Sequence, residues 1–357
     1  MTKLRFGILG TAGIAKKNWR AIRDSGNASV SAVASRDAGR SGKFIAECQA
    51  AEPFEAAPKS LGSYEELIAS RDVDAVYVPL PTGLRKEWVL RAAAAGKHVV
   101  CEKPCGLNAA DVGEMIEACR RNRVQFMDGV MFMHHRRLEK MRAVLDDAQS
   151  IGRIKRMSSM FSFAGNGSFF ESNIRIHSGL EPAGCLGDLG WYCIRISLWA
   201  MNWQLPKEVS GRVLSQRGAR NSPGPAPTDF SAELVFNDDT SASFFCSFLV
   251  EMQQWVQISG TKGYLRLPDF VHPHSIHEPT FETNRTITTV KCCDCTGPHT
   301  DSKTMAQDTN LFRNFASAAQ SGKLNEDWPM WALKTQQVMD ACLESSKAGG
   351  SAVRLTA

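Results

Sequence analysis

Strands alternate with helices over about 125 residues at the start of this chain, and that alternation constrains the fold more than any single motif. Leu4–Leu9 reads as a short buried strand, and the turn after it leads into a helix from about Ile14 to Ser25 with Gly26 as its stop. Val30–Ala34 is a second strand. Ser63-Tyr64-Glu65-Glu66 has capping-box spacing and starts a short helix through Ile68. Asp74–Val78 is a strand ending in Pro79-Leu80-Pro81-Thr82, and the helix carrying Trp88 and Leu90 stops at Gly96. His98–Cys101 is a strand, Asn108-Ala109-Ala110-Asp111 starts another helix, and Val124–Met127 closes the series. Apolar strands separated by helices pair in parallel, so the expected fold class is α/β, a doubly wound parallel sheet.

The pattern then changes. A helix from about Arg136 to Ala148 precedes a longer strand, Ile154–Phe163, and the segment Cys193–Met201 is helical. Strands follow at roughly Lys207–Leu214, Phe230–Phe236, Ser241–Phe248, Trp255–Ser259 and Tyr264–Leu267. Asn237-Asp238-Asp239 and Gly260-Thr261-Lys262-Gly263 supply turns, and Asn221–Pro227 is a loop. Strands without intervening helices pair antiparallel, which implies an α+β second domain. Two helices, about Asp308–Ser321 and Trp331–Lys347, end the chain.

At 357 residues the chain is too long for one ordinary core and suits two domains. A net charge of +5 fits an anionic cofactor or substrate. The basic residues are spread out, with only local clusters such as His134-His135-Arg136-Arg137, so no nucleic-acid partner is expected. Eleven cysteines, mostly in apolar patterns, read as free buried thiols rather than a disulfide framework. No signal peptide and no apolar run of ~18 residues is visible, so the expected compartment is cytoplasmic, with no membrane partner.

Several stretches carry chemistry. Gly10-Thr11-Ala12-Gly13-Ile14-Ala15 joins the first strand to the first helix, the layout in which backbone N–H groups hold a pyrophosphate. Ala12 takes the second glycine position and Ala15 the third; alanine at the second crowds the phosphate by a methyl group. An NAD site places an acid at the end of the second strand, whereas this chain reads Ser35-Arg36-Asp37. A hydroxyl and a guanidinium suit a 2′-phosphate, so NADP is expected over NAD. Val99-Val100-Cys101-Glu102-Lys103-Pro104 ends a strand in a lysine and a proline, and proline stops the ladder. Lys103 then stands at the carboxyl end of a strand, where open α/β sheets bind ligands. Gly184-Cys185-Leu186-Gly187-Asp188-Leu189-Gly190-Trp191-Tyr192 favours a helix despite its glycines, with Asp188 and Tyr192 on one face. Arg175 and His177 precede it, either lining a cleft or solvated. Cys292, Cys293, Cys295 and His299 are dense enough for a metal but lack separated knuckles, so no metal is expected. His272, His274 and His277 fall in a proline-broken segment that reads as surface loop.

In this order, the Gly-x-Ala-x-x-Ala turn, Glu102-Lys103-Pro104, Asp188-x-Gly-x-Tyr192 and the later strands resemble the glucose–fructose oxidoreductase / inositol dehydrogenase / rhizopine catabolism (Gfo/Idh/MocA) family. The resemblance is nearest to its dihydrodiol dehydrogenase-like and plant oxidoreductase branch. It implies a Rossmann domain over 1–128 and, over 129–357, a substrate-binding and oligomerisation domain with a large, mostly antiparallel open sheet. It implies a nicotinamide cofactor and reversible oxidation of a hydroxyl on a sugar, polyol or diol. By motif position Lys103 and Tyr192 match the catalytic lysine and acid/base, and Asp188 the acid before it. The cofactor candidates are Gly10, Thr11, Ala12, Gly13, Ile14, Ser35, Arg36, Pro79, Leu80, Pro81, Thr82, Glu102 and Lys103; the substrate candidates are Arg175, Asp188 and Tyr192. The chain departs from the family pattern at Thr82-Gly83-Leu84-Arg85 and Phe132-Met133-His134-His135-Arg136, both expected to border the cleft.

The chemistry is consistent with that resemblance. A tyrosine near pKa 10 is a poor base at pH 7 unless a cation lowers that value, a part Lys103 can play. The competing class is a non-catalytic dinucleotide-binding sensor of the same fold, which needs neither Lys103 nor Tyr192. An uncovered sheet face in the second domain predicts a homodimer or tetramer through the C-terminal sheet.

Overall fold

The computed structural model describes residues 3–274, 278–290 and 306–355, which divide into two compact units. The first opens with β1 (Leu4–Leu9), α1 (Gly13–Ser25), β2 (Ala28–Ala34), α2 (Ala38–Ala51), β3 (Lys59–Leu61) and α3 (Tyr64–Ala69). It continues through β4 (Ala75–Val78), α4 (Thr82–Ala94), β5 (His98–Cys101), α5 (Ala109–Arg121), β6 (Phe126–Asp128) and a 3₁₀ turn at Met131–His134. Its six strands lie in the order β3-β2-β1-β4-β5-β6, and every pair is parallel. The strand order reverses between β1 and β4, the switch point where such sheets bind ligands at their carboxyl ends. Phe6, Ile8, Val76, Val78 and Val99 are fully buried, as a sheet covered on both faces requires.

The chain lies in the second unit from Arg136. This unit holds α6 (Arg137–Asp146), β7 (Ile154–Ser162), α7 (Gly167–Ser172), a 3₁₀ turn at Ile174–Ile176, a π-helical turn at Leu186–Gly190 and α8 (Trp191–Ala200). Then come β8 (Glu208–Arg217), β9 (Ala226–Val235), β10 (Ser241–Ser247), β11 (Gln253–Gly260), β12 (Tyr264–Leu267), β13 (Thr280–Thr283) and β14 (Thr286–Thr289). After α9 (Ala306–Ser321) come α10 (Asp327–Lys347), which belongs to this unit from Leu333 on, and β15 (Val353–Arg354). The nine strands run β14-β13-β12-β11-β7-β10-β9-β8-β15, antiparallel except for the parallel β7–β10 pair.

One face of this sheet is covered: α8 is buried along its whole length, and on α10 the Ser345 hydroxyl accepts the Gly211 N–H of β8 at 2.9 Å. On the other face Met160 pairs with Phe245 on one side and Trp255 on the other, and all three are half-buried. Ser158, Ser243 and Arg156 continue that face, where Arg156 bonds Glu233 and Ser241.

Helix α9 belongs to the first unit although it comes late in the chain: Phe312 and Phe315 set their rings 5.5 and 5.8 Å from Phe6, and Phe312 meets Tyr77 at 5.8 Å. In the His134-His135-Arg136-Arg137 cluster only Arg136 is exposed. Arg137 is buried with Asp269 as its ion partner, and the His134 ring nitrogen lies 3.1 Å from the Asn314 amide. Strand β9 starts at Ala226, inside the stretch expected as loop. Helix α10 starts at Asp327, ahead of the expected Trp331, because Pro329 sits in the first turn, where its missing N–H costs nothing. The eight described cysteines are all buried free thiols. Cys292, Cys293, Cys295, His299 and His277 lie outside the described residues.

Candidate active site

The first unit carries its candidate residues at the β1–α1 turn and at the ends of β2, β4 and β5. Gly10 has φ of +95°, a backbone region L side chains rarely enter, and a Cβ there would meet Leu80 and the Tyr64 hydroxyl at 3.3 Å. Around Gly13 there is open space within 4 Å of where a Cβ would stand. Ala12 caps α1 without a side-chain bond, and the first turn of α1 carries no acid. Open N–H groups, a positive helix end and no competing carboxylate fit a pyrophosphate. Thr11 and Ala12 are half-buried, while Gly13 and Ile14 are exposed.

At the end of β2 the Ser35 hydroxyl bonds the Asp37 carbonyl at 2.5 Å and accepts the Asp37 N–H at 3.2 Å, so it shapes the turn. Arg36 is exposed. The Tyr64 phenol is pushed up by burial and held back by two nearby cations, Arg36 and Arg40. Two guanidiniums and a phenol thus gather at the β2 end of the turn, a donor set that suits a 2′-phosphate. The sequence singled out Arg36 and not Arg40 or Tyr64, although Arg40 lies only four residues after Arg36 at the start of α2.

The β4 and β5 ends form a second cluster. The Tyr77 hydroxyl donates to Glu102 at 2.6 Å and accepts from the Asn18 amide at 2.6 Å, all three buried. Burial, then the Glu102 charge, pushes the Tyr77 phenol well above its usual range, so it stays protonated and donating. Glu102 also accepts the Lys103 N–H at 3.3 Å, while Lys103 is half-buried. Pro79, Leu80 and Thr82 are buried and Pro81 half-buried. Arg85 does not point outward from the rim: it is buried, its Nε donates to the Leu80 carbonyl at 2.7 Å, and its Nη1 bonds the Pro104 carbonyl. It ties the β4 loop to the turn bearing Lys103. Nearby, Lys17 pairs with buried Asp308 at 2.9 Å; burial raises that acid and Lys17 opposes the rise.

The second unit carries candidate residues of its own. Arg175 Nε bonds the Asp188 carboxylate at 2.6 Å. The Asp188 charge first, against the cost of burial, holds the guanidinium above its ordinary value, and Tyr192 lies close enough to add to that effect. Tyr192 is buried with its ring edge-on to Phe161 at 5.4 Å. Asp188 falls in the π-helical turn and Tyr192 in the first turn of α8. Gly190 lets that turn approach β10: a Cβ would stand 3.2 Å from the Cys246 sulfur and 2.8 Å from Leu186. Arg175, Asp188 and Tyr192 therefore form one cluster, and Arg175 is ion-paired.

A doubly wound unit with a phosphate-cradling turn, joined to an open-sheet unit bearing an Arg–Asp–Tyr cluster, defines a dinucleotide-dependent oxidoreductase. The chain belongs to the Gfo/Idh/MocA oxidoreductases: residues 4–130 match the oxidoreductase family with NAD-binding Rossmann fold, and residues 138–266 match the GFO/IDH/MocA C-terminal domain. D-xylose 1-dehydrogenase (NADP(+)) 2 of Haloferax volcanii is 29% identical over 98% of this chain and 99% of its own length. Trans-1,2-dihydrobenzene-1,2-diol dehydrogenase of Sus scrofa is 30% identical over 74% of each. Among solved structures, a variant of KijD10, a 3-ketoreductase from Actinomadura kijaniata, in complex with TDP-benzene and NADP, superposes with a TM-score of 0.80 at 23% identity. That match covers 96% of this chain and 98% of the other, and it is a likeness of fold.

Proposed function

We propose that this protein is an NADP-dependent dehydrogenase or reductase acting on a CH–OH group of a sugar, polyol or diol. The first unit binds the dinucleotide and the second the substrate. The observation that carries this reading is the Arg175–Asp188–Tyr192 cluster, in a chain that also places Lys103 at the carboxyl end of β5. The D-xylose and dihydrobenzenediol dehydrogenases it resembles act on hydroxyls of that kind. When bound, the nicotinamide accepts or supplies the hydride.

The chain's own residues handle the proton. In oxidation the hydroxyl proton passes to the Tyr192 oxygen; in reduction Tyr192 returns it to the carbonyl oxygen. A tyrosine gives a proton readily at pH 7 but takes one only when cations stabilise its phenolate. Arg175 supplies one such charge within the second unit, and Lys103 is the second. Asp188 fixes the orientation of Arg175 and so the field at Tyr192. The β1–α1 turn holds the pyrophosphate, and Arg36 with Arg40 holds the 2′-phosphate.

Lys103→Met and Tyr192→Phe test this. Each is expected to lower kcat by about 10² or more, as for loss of an acid–base group. NADPH affinity should change less, and the double variant should lose less than the product of the two effects. A Lys103→Met enzyme with full turnover on its substrate would end the assignment.

Two finer features accompany this function. The half-buried row of Trp255, Met160 and Phe245 on the open sheet face supports a homodimer or tetramer through that sheet. Light scattering at micromolar concentration should show a dimer or larger species, and a monomer would exclude it. Eight buried free thiols favour work in a reducing compartment such as the cytoplasm.

A further inference from the structure

A cavity of about 620 Å³ opens in the second unit beside Arg175. Its walls include Phe163, Asn166, Phe169, Ser172, Asn173 and Arg175.

The walls are held by the fold. After β7, Phe163 N–H bonds the Ser247 carbonyl at 3.0 Å and Gly165 N–H bonds the Phe248 carbonyl at 2.8 Å. The Phe169 ring stands edge-on to Phe163 at 5.3 Å and to Phe248 at 5.1 Å. The Asn166 side-chain Oδ1 accepts the Phe169 N–H at 2.9 Å, and the Asn173 Oδ1 accepts the Arg175 N–H at 3.0 Å. These bonds leave the two side-chain Nδ2 groups without a protein partner among the described residues. Arg175 gives its Nε to Asp188, and the Glu181 carboxylate adds its charge beside the same guanidinium. The cavity therefore offers amide and guanidinium donors next to aromatic rings. That mixture takes a ring with hydrogen-bond acceptors around it.

We propose that this cavity is a second substrate subsite, and that the natural substrate is a sugar carrying a further ring rather than a free monosaccharide. The proposal rests on Tyr192 handling the reacting carbinol, since Arg175 joins that cluster to the cavity wall. The substituent ring lies between Phe169 and the Asn166 and Asn173 amides, and its acceptor oxygens meet the Arg175 guanidinium.

The test compares free D-xylose, D-glucose and D-galactose with their phenyl glycosides, a disaccharide of glucose, and UDP-glucose, read by NADPH absorbance. One substituted form should exceed its free sugar at least tenfold in kcat/KM, mainly through KM. The form that wins tells whether the second ring is aryl, sugar or nucleotide. Ser172→Trp fills the cavity from a helix surface, and the ratio of substituted to free sugar should fall to about one. Calorimetric titration of the same glycosides and UDP-glucose, with and without Ser172→Trp, needs no turnover. Equal kcat/KM for free and substituted sugars, or a ratio unmoved by Ser172→Trp, overturns the subsite while leaving the hydride-transfer reading intact. Binding abolished by Ser172→Trp in a protein that turns over no sugar keeps the subsite and overturns that reading. Neither binding nor turnover overturns both.

Discussion

Replacing Arg85 by Met tests whether the corner that bears Lys103 is held by a buried cation. Met keeps most of the apolar stem and removes every donor. The wild-type guanidinium bonds the Leu80 carbonyl at 2.7 Å and also bonds the Pro104 carbonyl, and Arg85 is only 6% exposed. Its charge also reaches the Tyr77–Glu102 pair. Bonds from a charged donor contribute roughly 1.5–3 kcal/mol each, and the carbonyls left behind are buried. A loss of about 3–5 kcal/mol follows, which for a unit of this size lowers Tm by roughly 6–20 °C. Calorimetry of the full chain measures it. Arg85→Lys keeps the charge but places one ammonium where two carbonyls need donors, so it should recover less than half the loss. Activity should fall further than stability accounts for, because the Leu80 and Pro104 turns frame Lys103. A Met variant melting within about 2 °C of wild type, or a Lys variant equal to it, would refute the argument.

Arg36→Ala should erase most of an NADP over NAD preference of about tenfold or more, since one decade is ~1.4 kcal/mol. Arg40→Ala should act in the same direction, and kcat/KM with the two cofactors decides both. His98 offers a pH test. Burial pushes its imidazole below the ordinary 6.5, with Asp74 opposing, while its Nδ1 accepts the Gln125 N–H at 2.9 Å. The unfolded chain therefore binds this proton first as pH falls, and stability drops from pH 6.5 down to the folded value and levels off below it. His98→Gln keeps an acceptor and should flatten that limb in urea melts between pH 6.5 and 5; an unchanged slope would count against it.

The first sheet was legible because its strands are apolar runs set between helices, a pattern that depends on local residues alone. Strand β3 was not located: Lys59-Ser60-Leu61 is three residues long and carries no apolar pattern. It exists because β2 offers it an edge. The β13–β14 hairpin was missed for a similar reason, since its strands are rich in threonine. Its turn, Asn284-Arg285, has φ of 49° and 69°, the two-residue geometry that fits strand twist, but arginine is an unusual residue there. Helix α9 was legible as a helix, yet nothing near it in sequence shows that Phe312 and Phe315 pack on Phe6. That is a contact between residues about 300 apart, decided by burial.

The site divides along the same line. Gly10, Arg36, Lys103, Asp188 and Tyr192 stand out in the sequence because each belongs to a short motif next to a strand end or helix start. Tyr64 and Arg85 do not, because the groups they meet lie far from them in sequence: Gly10 and Leu80 beside Tyr64, and the Pro104 carbonyl on Arg85. The helical spacing of Asp188 and Tyr192 suggested one shared α-helical face, but Leu186–Gly190 is π-helical, and its i→i+5 bonding changes the phase between the two. Asp188 is taken up by Arg175, which brings a second cation towards Tyr192. A tyrosine that must accept a proton in one direction and donate it in the other needs a field strong enough to stabilise its phenolate and fixed enough not to be lost with substrate. An arginine pinned by a carboxylate on the same unit meets both demands of the proposed function. Within the proposed function, the Arg175–Asp188 pair is therefore the part of the proton chemistry that the second unit carries by itself.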